Sequence, residues 1–227
     1  MNPSNPEKIR VLGERLQLDS GKTVLDLGCG TGGPAVLLAR EYGCRVVAVD
    51  SHEPFLDVGK RRAEDAGVGH LVTFVHEDGA EYIRRARRCN VALCLGATGV
   101  LGGFIETART LRELVDVQGH VVLGDLYVKD PVPPDANDDE NAPLYSLAQL
   151  LDAFVITGLA PVTVITASED DWNTYITLRW RSVEDWLEEN PDHPDAPRFR
   201  NRSRASDLQE QRHGWAIIAG RRAVDLG

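Results

Sequence analysis

The sequence has few cysteines, and they show no paired spacing. Cys29, Cys44, Cys89 and Cys94 include no two residues in the C-x-x-C arrangement of zinc sites and redox motifs. Each lies in or beside an apolar run, where cysteine usually behaves as a small buried hydrophobe. A disulfide framework is therefore not expected, and this favours a reducing cytoplasm as the location of the protein.

Long apolar stretches and excess positive charge are also missing. No run approaches the roughly 20 apolar residues of a membrane-spanning helix. The polar segment from Met1 to Arg10 lacks the charged-then-apolar order of a signal peptide. Lys and Arg number 25 against 35 Asp and Glu, which gives a formal net charge of -10. Because such a chain repels phosphate backbones and anionic lipids, neither nucleic acids nor membranes are expected as partners.

The composition is that of a globular protein, with 42% hydrophobic and 26% charged residues in a chain of 227. Short apolar runs alternate with helical periodicity, which predicts an α/β fold with a mainly parallel sheet and helices on both faces. The predicted strands are Thr23–Leu27, Arg45–Asp50, Leu71–Val75, Val91–Leu95, His120–Leu126, Val162–Thr166 and Trp215–Ala219.

Helical patterns separate these strands. The predicted helices are Lys8–Leu18, Pro34–Tyr42, Pro54–Ala66, Ala80–Arg88, Phe104–Leu114, Leu147–Thr157, Trp172–Glu189 and Phe199–Arg212. One long segment, Lys129–Pro143, contains four prolines and a run of Asp, Asn and Glu, so it is predicted to be a loop. Loops of this length in compact domains are either lids over a site or plain connections, and both interpretations stay open.

The most informative stretch is the first strand and the glycine-rich loop that follows it. The loop runs from Gly28 to Gly33, and glycine there allows a tight turn and a close approach to a ligand. The following helix offers free N–H groups and partial positive charge. Gly28, Gly30 and Gly33 match the G-x-G-x-x-G spacing, and Asp50 stands 20 residues beyond Gly30. This pattern predicts an adenosine ribose, and it fits dinucleotides and other adenosine cofactors alike.

Asp26, two residues before the loop, distinguishes the cofactors. A carboxylate there would lie close to the pyrophosphate of a dinucleotide, where like charge is unfavourable. S-adenosylmethionine has no phosphate, and its sulfonium and ammonium groups are favoured by a nearby carboxylate. Asp26 therefore indicates S-adenosylmethionine, although a role in ordering the loop is an alternative interpretation.

Four spaced motifs resemble those of the class I S-adenosylmethionine-dependent methyltransferases. They are VLDLGCGTGG, VVAVD, HEDGAEY and VALCLGAT. The resemblance implies that Asp50 binds the ribose, that Asp78 accepts from the adenine amino group, and that the Gly79 amide faces a ring nitrogen. The full cofactor set that we predict is Asp26, Gly28, Cys29, Gly30, Asp50, Ser51, Asp78, Gly79, Leu95 and Gly96.

One residue departs from the family pattern. The family more often has an apolar residue after the ribose-binding acid, where it packs on the adenine, and this chain has Ser51 there. Serine could still bind a ribose hydroxyl. Packing on the adenine would then have to come from elsewhere.

The second half of the chain is similar to a group of uncharacterised bacterial small-molecule methyltransferases. The similar segments are LGATGVLGGFIETARTLRELV, VVLGDLYV and GWAIIAGRR. The resemblance implies a Rossmann-like, seven-stranded and mostly parallel sheet with an antiparallel last strand. We therefore expect one methyltransferase domain over residues 1–227, with an N-terminal helix in 1–19, the cofactor-binding core in 20–128, and the lid loop and acceptor-side half in 129–227.

The acceptor is expected at the carboxyl ends of the strands, where open α/β sheets bind ligands. The candidates for its pocket are His52, Tyr127, Trp172 and Tyr175. Trp172 and Tyr175 lie on one face of a helix, and they could form an aromatic wall or could pack that helix on the sheet.

Methyl transfer is an in-line displacement at an activated carbon, so the protein mainly aligns the reactants and excludes water. A hydroxyl or protonated amine acceptor would benefit from a base, and Asp125 and His76 are the candidates. Both could equally be structural hydrogen-bonding residues. The acidic run Asp135–Glu140 lacks the ordered spacing of a calcium loop, so no metal is predicted.

Three functions other than small-molecule methyl transfer are compatible with a glycine-rich loop of this kind. A nicotinamide-dependent oxidoreductase would use the same glycine loop, but Asp26 and the Asp78-Gly79 pair oppose it. A nucleic-acid methyltransferase is opposed by the acidic balance and by Leu95-Gly96-Ala97-Thr98 in place of an Asn/Asp-Pro-Pro-aromatic tetrad. No feature of the sequence opposes a third alternative, a non-catalytic protein that binds the cofactor. Detection of methyl transfer would exclude it.

Overall fold

The computed structural model describes residues 2–129, 145–200 and 213–223. The described α-helices are α1 (Pro6–Arg15), α2 (Gly33–Tyr42), α3 (Glu53–Asp65), α4 (Gly79–Ile83), α5 (Phe104–Leu114), α6 (Leu147–Ile156), α7 (Glu169–Glu189) and α8 (Ala196–Arg200). The described strands are β1 (Thr23–Leu27), β2 (Arg45–Asp50), β3 (Val72–His76), β4 (Cys89–Leu95), β5 (Val115–Val128), β6 (Leu159–Thr166) and β7 (His213–Arg222). A 3-10 turn covers Thr98–Leu101.

The strands form one sheet in the order β3-β2-β1-β4-β5-β7-β6. The first five strands in this order are parallel to one another, and β7 runs antiparallel to both of its neighbours, β5 and β6. This confirms the predicted mostly parallel, seven-stranded sheet with an antiparallel last strand. Because β1, β2 and β4 are adjacent and parallel, their carboxyl ends meet at one edge of the sheet.

Successive strand residues alternate between two apolar cores, one on each face of the sheet. Val24 and Val46 belong to the core that holds α1, α2 and α3, whereas Leu25 and Leu27 belong to the core that holds α5 and α6. Asp26 has the parity of Val24, so it points to the first face. A smaller third cluster contains Trp172, Ile176 and Trp215 and joins α7 to β7.

Several boundaries differ from the sequence prediction for physical reasons. Helix α4 stops at Ile83 instead of Arg88, because the chain is already extended at Cys89, which pairs with Val115 in the sheet. Helix α7 begins three residues before Trp172, because Ser168 at its N-cap forms a capping box with Asp171. Strand β5 begins at Val115 and carries an irregularity in its register with β4.

Some predicted segments lie wholly or mostly outside the described residues. They are the loop Lys129–Pro143 after its first residue, the acidic run Asp135–Glu140, and the helix Phe199–Arg212 beyond Arg200. In the described part of the chain, no helix is both long and apolar enough to cross a bilayer. The four cysteines are buried free thiols. Burial raises the pKa of Cys44 to about 11 and the pKa values of Cys89 and Cys94 to about 12.

The packing of α6 on β7 requires a glycine, and this generates a first prediction. A Cβ on Gly220 would overlap Cδ1 of the fully buried Phe154 and would lie 3.0 Å from Cβ of Leu159. Overpacking of this kind costs about 1–3 kcal/mol. We therefore expect Gly220→Ala to lower the free energy of unfolding by about that amount in urea titrations. Gly69→Ala is the matched control, since its nearest neighbour would be Cγ of Glu64 at 3.7 Å. Equal stability of the two variants would contradict the described packing.

Candidate functional site

A cavity of about 930 Å³ lies at the carboxyl ends of β1, β2 and β4. Its walls come from these strand ends, from the glycine-rich loop, and from parts of α1, α2 and α3. The structure brings all ten residues of the predicted cofactor set to this cavity: Asp26, Gly28, Cys29, Gly30, Asp50, Ser51, Asp78, Gly79, Leu95 and Gly96. Residues that are distant in the sequence therefore form one site.

The glycine-rich loop folds back across the end of β2. The backbone N–H groups of Gly28 and Cys29 both donate to the carbonyl of Val49, at 2.9 and 3.0 Å. Gly28 has a φ of 70°, and a Cβ at this position would overlap the Cβ of Ala97. Glycine is therefore required at Gly28 both by the left-handed backbone and by the close approach of the loop after β4.

The carboxylate of Asp50 is held in place by the backbone around it. Its Oδ2 accepts from the N–H of Gly30 at 2.8 Å, and its Oδ1 accepts from the N–H of His52 at 2.9 Å. A carboxylate has about four acceptor positions, so each oxygen keeps capacity for a further donor. Asp50 thus presents a preoriented acceptor at the end of β2, which suits a pair of hydroxyl groups.

Asp26 is the most unusual group of the site. It is 2% exposed, and its Oδ2 has no hydrogen-bond partner among the described residues. Burial, together with the charge of Asp50, raises the pKa of Asp26 to about 7. A buried carboxylate without a partner is costly. A cationic group in the cavity would relieve that cost, whereas a pyrophosphate would increase it.

The loop after β3 forms another part of the wall. Asp78 is the N-cap of α4, and its Oδ1 accepts from the N–H groups of Ala80 at 2.9 Å and Glu81 at 3.1 Å. A Cβ on Gly79 would lie 2.8 Å from Cγ1 of Val100, so glycine allows the 3-10 turn to close over this loop. These two hydrogen bonds hold the Asp78 carboxylate in one orientation at the wall of the cavity.

Sequence reasoning missed an aromatic residue at the rim of the cavity. Phe55 in the first turn of α3 lines the cavity and is 46% exposed, which is unusual for a phenylalanine. The ring of His52 contacts it edge-on, with 4.4 Å between centroids. The signal in the sequence was Ser51, which leaves adenine packing to another apolar residue, and Phe55 stands four residues farther along.

Sequence reasoning also missed the N-terminal segment. Asn2, Ser4, Asn5 and Pro6 line the cavity, although only a helix was predicted in residues 1–19. The signal for its fold was present, because Asn5 caps α1 and Pro6 occupies its first turn. Nothing local in the sequence indicates that these residues reach the end of β4.

The structure places both predicted bases outside the lining of the cavity. Asp125 accepts from the hydroxyl of Thr98 and from the N–H of Leu126 at 2.7 Å, and it thereby anchors the 3-10 turn. The exposed His76 has its Nε2 at 3.0 Å from the carbonyl oxygen of Ser51. In these contacts both side chains support the backbone. Their catalytic roles stay predictions.

The four predicted acceptor residues do not line the cavity either. Trp172 is 5% exposed and packs with Ile176 and Trp215, and the ring of Tyr175 lies edge-on to it at 5.9 Å. Tyr127 packs against Gly214, where any Cβ would overlap its ring. The observed contacts of Trp172, Tyr175 and Tyr127 are packing contacts, and His52 packs on Phe55. Among the described residues, no cluster of three or more His, Cys, Asp or Glu side chains could hold a metal ion.

Comparison with known proteins shows extensive similarity over the whole fold. Residues 24–119 match a family model described as a methyltransferase domain. The chain is 30% identical over 228 residues to the uncharacterized protein YjhP of Escherichia coli K12, with 96% of this chain and 92% of that protein covered.

Two solved structures with a bound ligand are similar as well. A SAM-dependent methyltransferase from Thiobacillus denitrificans, in complex with S-adenosyl-L-homocysteine, is 30% identical with a TM-score of 0.88. A SAM-dependent methyltransferase from Geobacter sulfurreducens, in complex with the same ligand, is 32% identical with a TM-score of 0.83. Each comparison covers 96% of this chain and 92% of the other.

The raised pKa of Asp26 generates a prediction about stability. In the folded state the carboxyl keeps its proton up to about pH 7, whereas in the unfolded state it loses the proton near its ordinary pKa of 3.8. The folded state therefore binds more protons in this window, and the free energy of unfolding falls as pH rises from about 4 to about 7. We expect Asp26→Asn to remove this fall and to be more stable than wild type at neutral pH by on the order of a few kcal/mol.

Urea titrations of both proteins across this pH window measure the effect. Asp57→Asn is the matched control, because Asp57 is a half-exposed carboxylate of α3 that pairs with Lys60. Its stability difference from wild type should change little with pH. A variant at Asp26 that is less stable than wild type at neutral pH would contradict the prediction.

Proposed function

Since this chain belongs to the class I S-adenosylmethionine-dependent methyltransferases, we propose that its cavity at the ends of β1, β2 and β4 binds S-adenosylmethionine for methyl transfer to a small molecule. When bound, the cofactor supplies a methyl group activated by a sulfonium centre. The residues proposed to hold it are the ten that line the cavity and were predicted from the sequence. The acceptor is proposed to be a small molecule in the cytoplasm.

The observation that carries this proposal is the buried carboxylate of Asp26. Its Oδ2 lacks a partner among the described residues, and it lies in a cavity lined by the glycine-rich loop. The sulfonium and ammonium groups of S-adenosylmethionine match this charge, whereas NAD would bring phosphate oxygens toward it. Asp50, with acceptor capacity remaining on both oxygens, fits the ribose hydroxyls. Asp78 and the Gly79 amide are proposed to bind the adenine edge.

The contribution of the protein to the reaction is alignment and exclusion of water. The glycine-rich loop, the ends of the strands and the N-terminal segment line the cavity. In-line transfer requires donor and acceptor to be held in one orientation. Proton removal by Asp125 or His76 is a separate proposal. Because both side chains are engaged in contacts that support the backbone, the proposed reaction does not depend on either of them.

Direct binding tests the proposal. We expect calorimetry to show S-adenosylmethionine and S-adenosylhomocysteine binding with dissociation constants on the order of micromolar and NAD giving no heat. Asp26→Asn should weaken binding of S-adenosylmethionine by about tenfold or more, because it removes the charge that faces the cation. Asp57→Asn serves as the control and should bind as wild type does. Binding of NAD without a response to either sulfur nucleoside would overturn the proposal.

Phe55 is proposed as the surface on which the adenine packs. It lies on α3 one turn beyond Ser51, its ring is half-exposed at the rim of the cavity, and His52 braces it from the side. Stacking on the flat face of the base would remove the exposed ring from water, which is favourable. This role would supply the packing that the residue after Asp50 does not provide.

Substitution of Phe55 gives a separate prediction. Stacking of an aromatic ring on a base contributes about 1–3 kcal/mol by alanine substitution, so Phe55→Ala should weaken S-adenosylhomocysteine binding by about tenfold. Phe55→Tyr keeps the ring and should bind nearly as wild type does. Because Phe55 is half-exposed, the melting temperature without ligand should change little in either variant. Unchanged affinity in the alanine variant would exclude this role.

A further inference from the structure

The N-terminal strap, residues Asn2–Pro6, crosses the cavity at the end of β4. Asn2 Nδ2 lies 3.3 Å from the carbonyl oxygen of Leu95, to which it donates. The indole N–H of Trp215 donates to the hydroxyl oxygen of Ser4 at 2.9 Å. The strap thus covers the part of the cavity formed by Leu95 and Gly96, beside the end of β1 that carries Asp26.

The strap is held by a buried carboxylate on a distant helix. Asp171 of α7 is 8% exposed, its Oδ1 accepts from Asn5 Nδ2 at 2.6 Å, and its Oδ2 forms an ion pair with Lys8. The same Oδ2 accepts from the N–H of Ser168 at 2.7 Å and from its hydroxyl at 2.6 Å. Asp171 therefore closes the capping box of α7 and holds the strap with one carboxylate.

These contacts keep Asp171 ionised at neutral pH. Burial opposes ionisation, but hydrogen bonds from Lys8, Ser168 and Asn5 lower the pKa of Asp171 to about 2. A buried ion pair of this kind demands accurate geometry, because either partner alone would be left as an uncompensated charge. Asp171 therefore links α7 both to the strap, through Asn5, and to the start of α1, through Lys8.

A second link joins the same two parts of the chain. Trp172, the residue after Asp171, packs against Trp215, and Trp215 in turn donates to Ser4. A Cβ on Gly96 would lie 3.2 Å from Cη2 of Trp215 and 3.9 Å from Cβ of Asn2. The indole ring thus contacts the floor of the cavity, and the strap lies over that floor.

We infer that Asp171 is a positioning residue for cofactor binding: by holding Asn5 of the N-terminal strap and Lys8 of the adjoining helix α1, it fixes the strap as a wall of the cavity. This inference rests on the proposed function. Asp171 does not line the cavity and acts through the strap. The strap is secured by a charge more than 160 residues away in the sequence, so loss of that charge should open the site while leaving its other walls intact.

The test is S-adenosylhomocysteine binding to Asp171→Asn in the full chain. We expect the affinity to fall by about tenfold, with faster dissociation in stopped-flow measurements. Asp170→Asn is the matched control, since Asp170 is an exposed carboxylate in the same first turn of α7. It should bind as wild type does. Circular dichroism and calorimetric stoichiometry establish that each variant is folded at the assay temperature.

A double-mutant cycle separates positioning from general loss of stability. Asn2→Ala combined with Ser4→Ala removes the side chains that attach the strap to Leu95 and Trp215. If Asp171 acts through the strap, adding Asp171→Asn to this pair weakens binding much less than it does alone. Additive effects would overturn the inference. Should Asp171→Asn not fold, Lys8→Met removes the ion pair from the other side and enters the same cycle.

Two further outcomes distinguish failure of this inference from failure of the proposed function. A folded Asp171→Asn that binds and releases S-adenosylhomocysteine as wild type does would overturn the inference while leaving the proposed function in place. Wild-type protein that does not bind S-adenosylhomocysteine would overturn both.

Discussion

The site depends on a carboxylate that is buried without a partner among the described residues. Asp26 lies where β1 passes into the glycine-rich loop, 2% exposed and next to a second acid, Asp50. Such an arrangement is electrostatically unfavourable in the free protein. Carboxylates with strongly shifted pKa values of this kind are typical of functional sites. A cation in the cavity converts this cost into binding free energy, because the charged form of Asp26 is then the favoured one. The chemistry of the ligand is thus specified more by this one oxygen than by the spacing of the glycines.

The parallel sheet explains why the rest of the site gathers around Asp26. The strands β1, β2 and β4 are neighbours, and their carboxyl ends meet at one edge. Each strand therefore delivers a short segment to the same cavity: the glycine-rich loop, the Asp50 turn, and the turn at Gly96. Backbone donors orient Asp50 and Asp78 before any ligand arrives. A ligand that meets such preoriented groups does not have to order them.

The second half of the chain contributes through packing, which is one of the two interpretations that its aromatic residues left open. Trp172 and Tyr175 form packing contacts near Trp215 and lie outside the lining of the cavity. Their helix acts on the site through Asp171, which holds the N-terminal strap. Asp125 and His76 likewise support the backbone that shapes the cavity. The loops that follow the strands therefore contain both groups that face the cavity and groups that hold those loops in place, and residue type alone does not distinguish the two.

Local pattern in the amino-acid sequence was enough to predict the fold class and most strand positions. The cofactor residues were predicted from the glycine-rich loop, from Asp26 and Asp50, and from the resemblance of four motifs to a known family. Strand burial has a period of two residues, a glycine-rich turn must follow its strand directly, and Asp50 is the last residue of its strand. Tertiary structure alone decided the rest. The contact of Asn5 with Asp171 spans 166 residues, and the strap over Leu95 and Gly96 has no periodicity or spacing that marks it. Phe55 lines the cavity only because α3 packs beside the end of β2. Such features arise from the packing of separate elements, and pairwise contacts at that distance leave no local signal in the sequence.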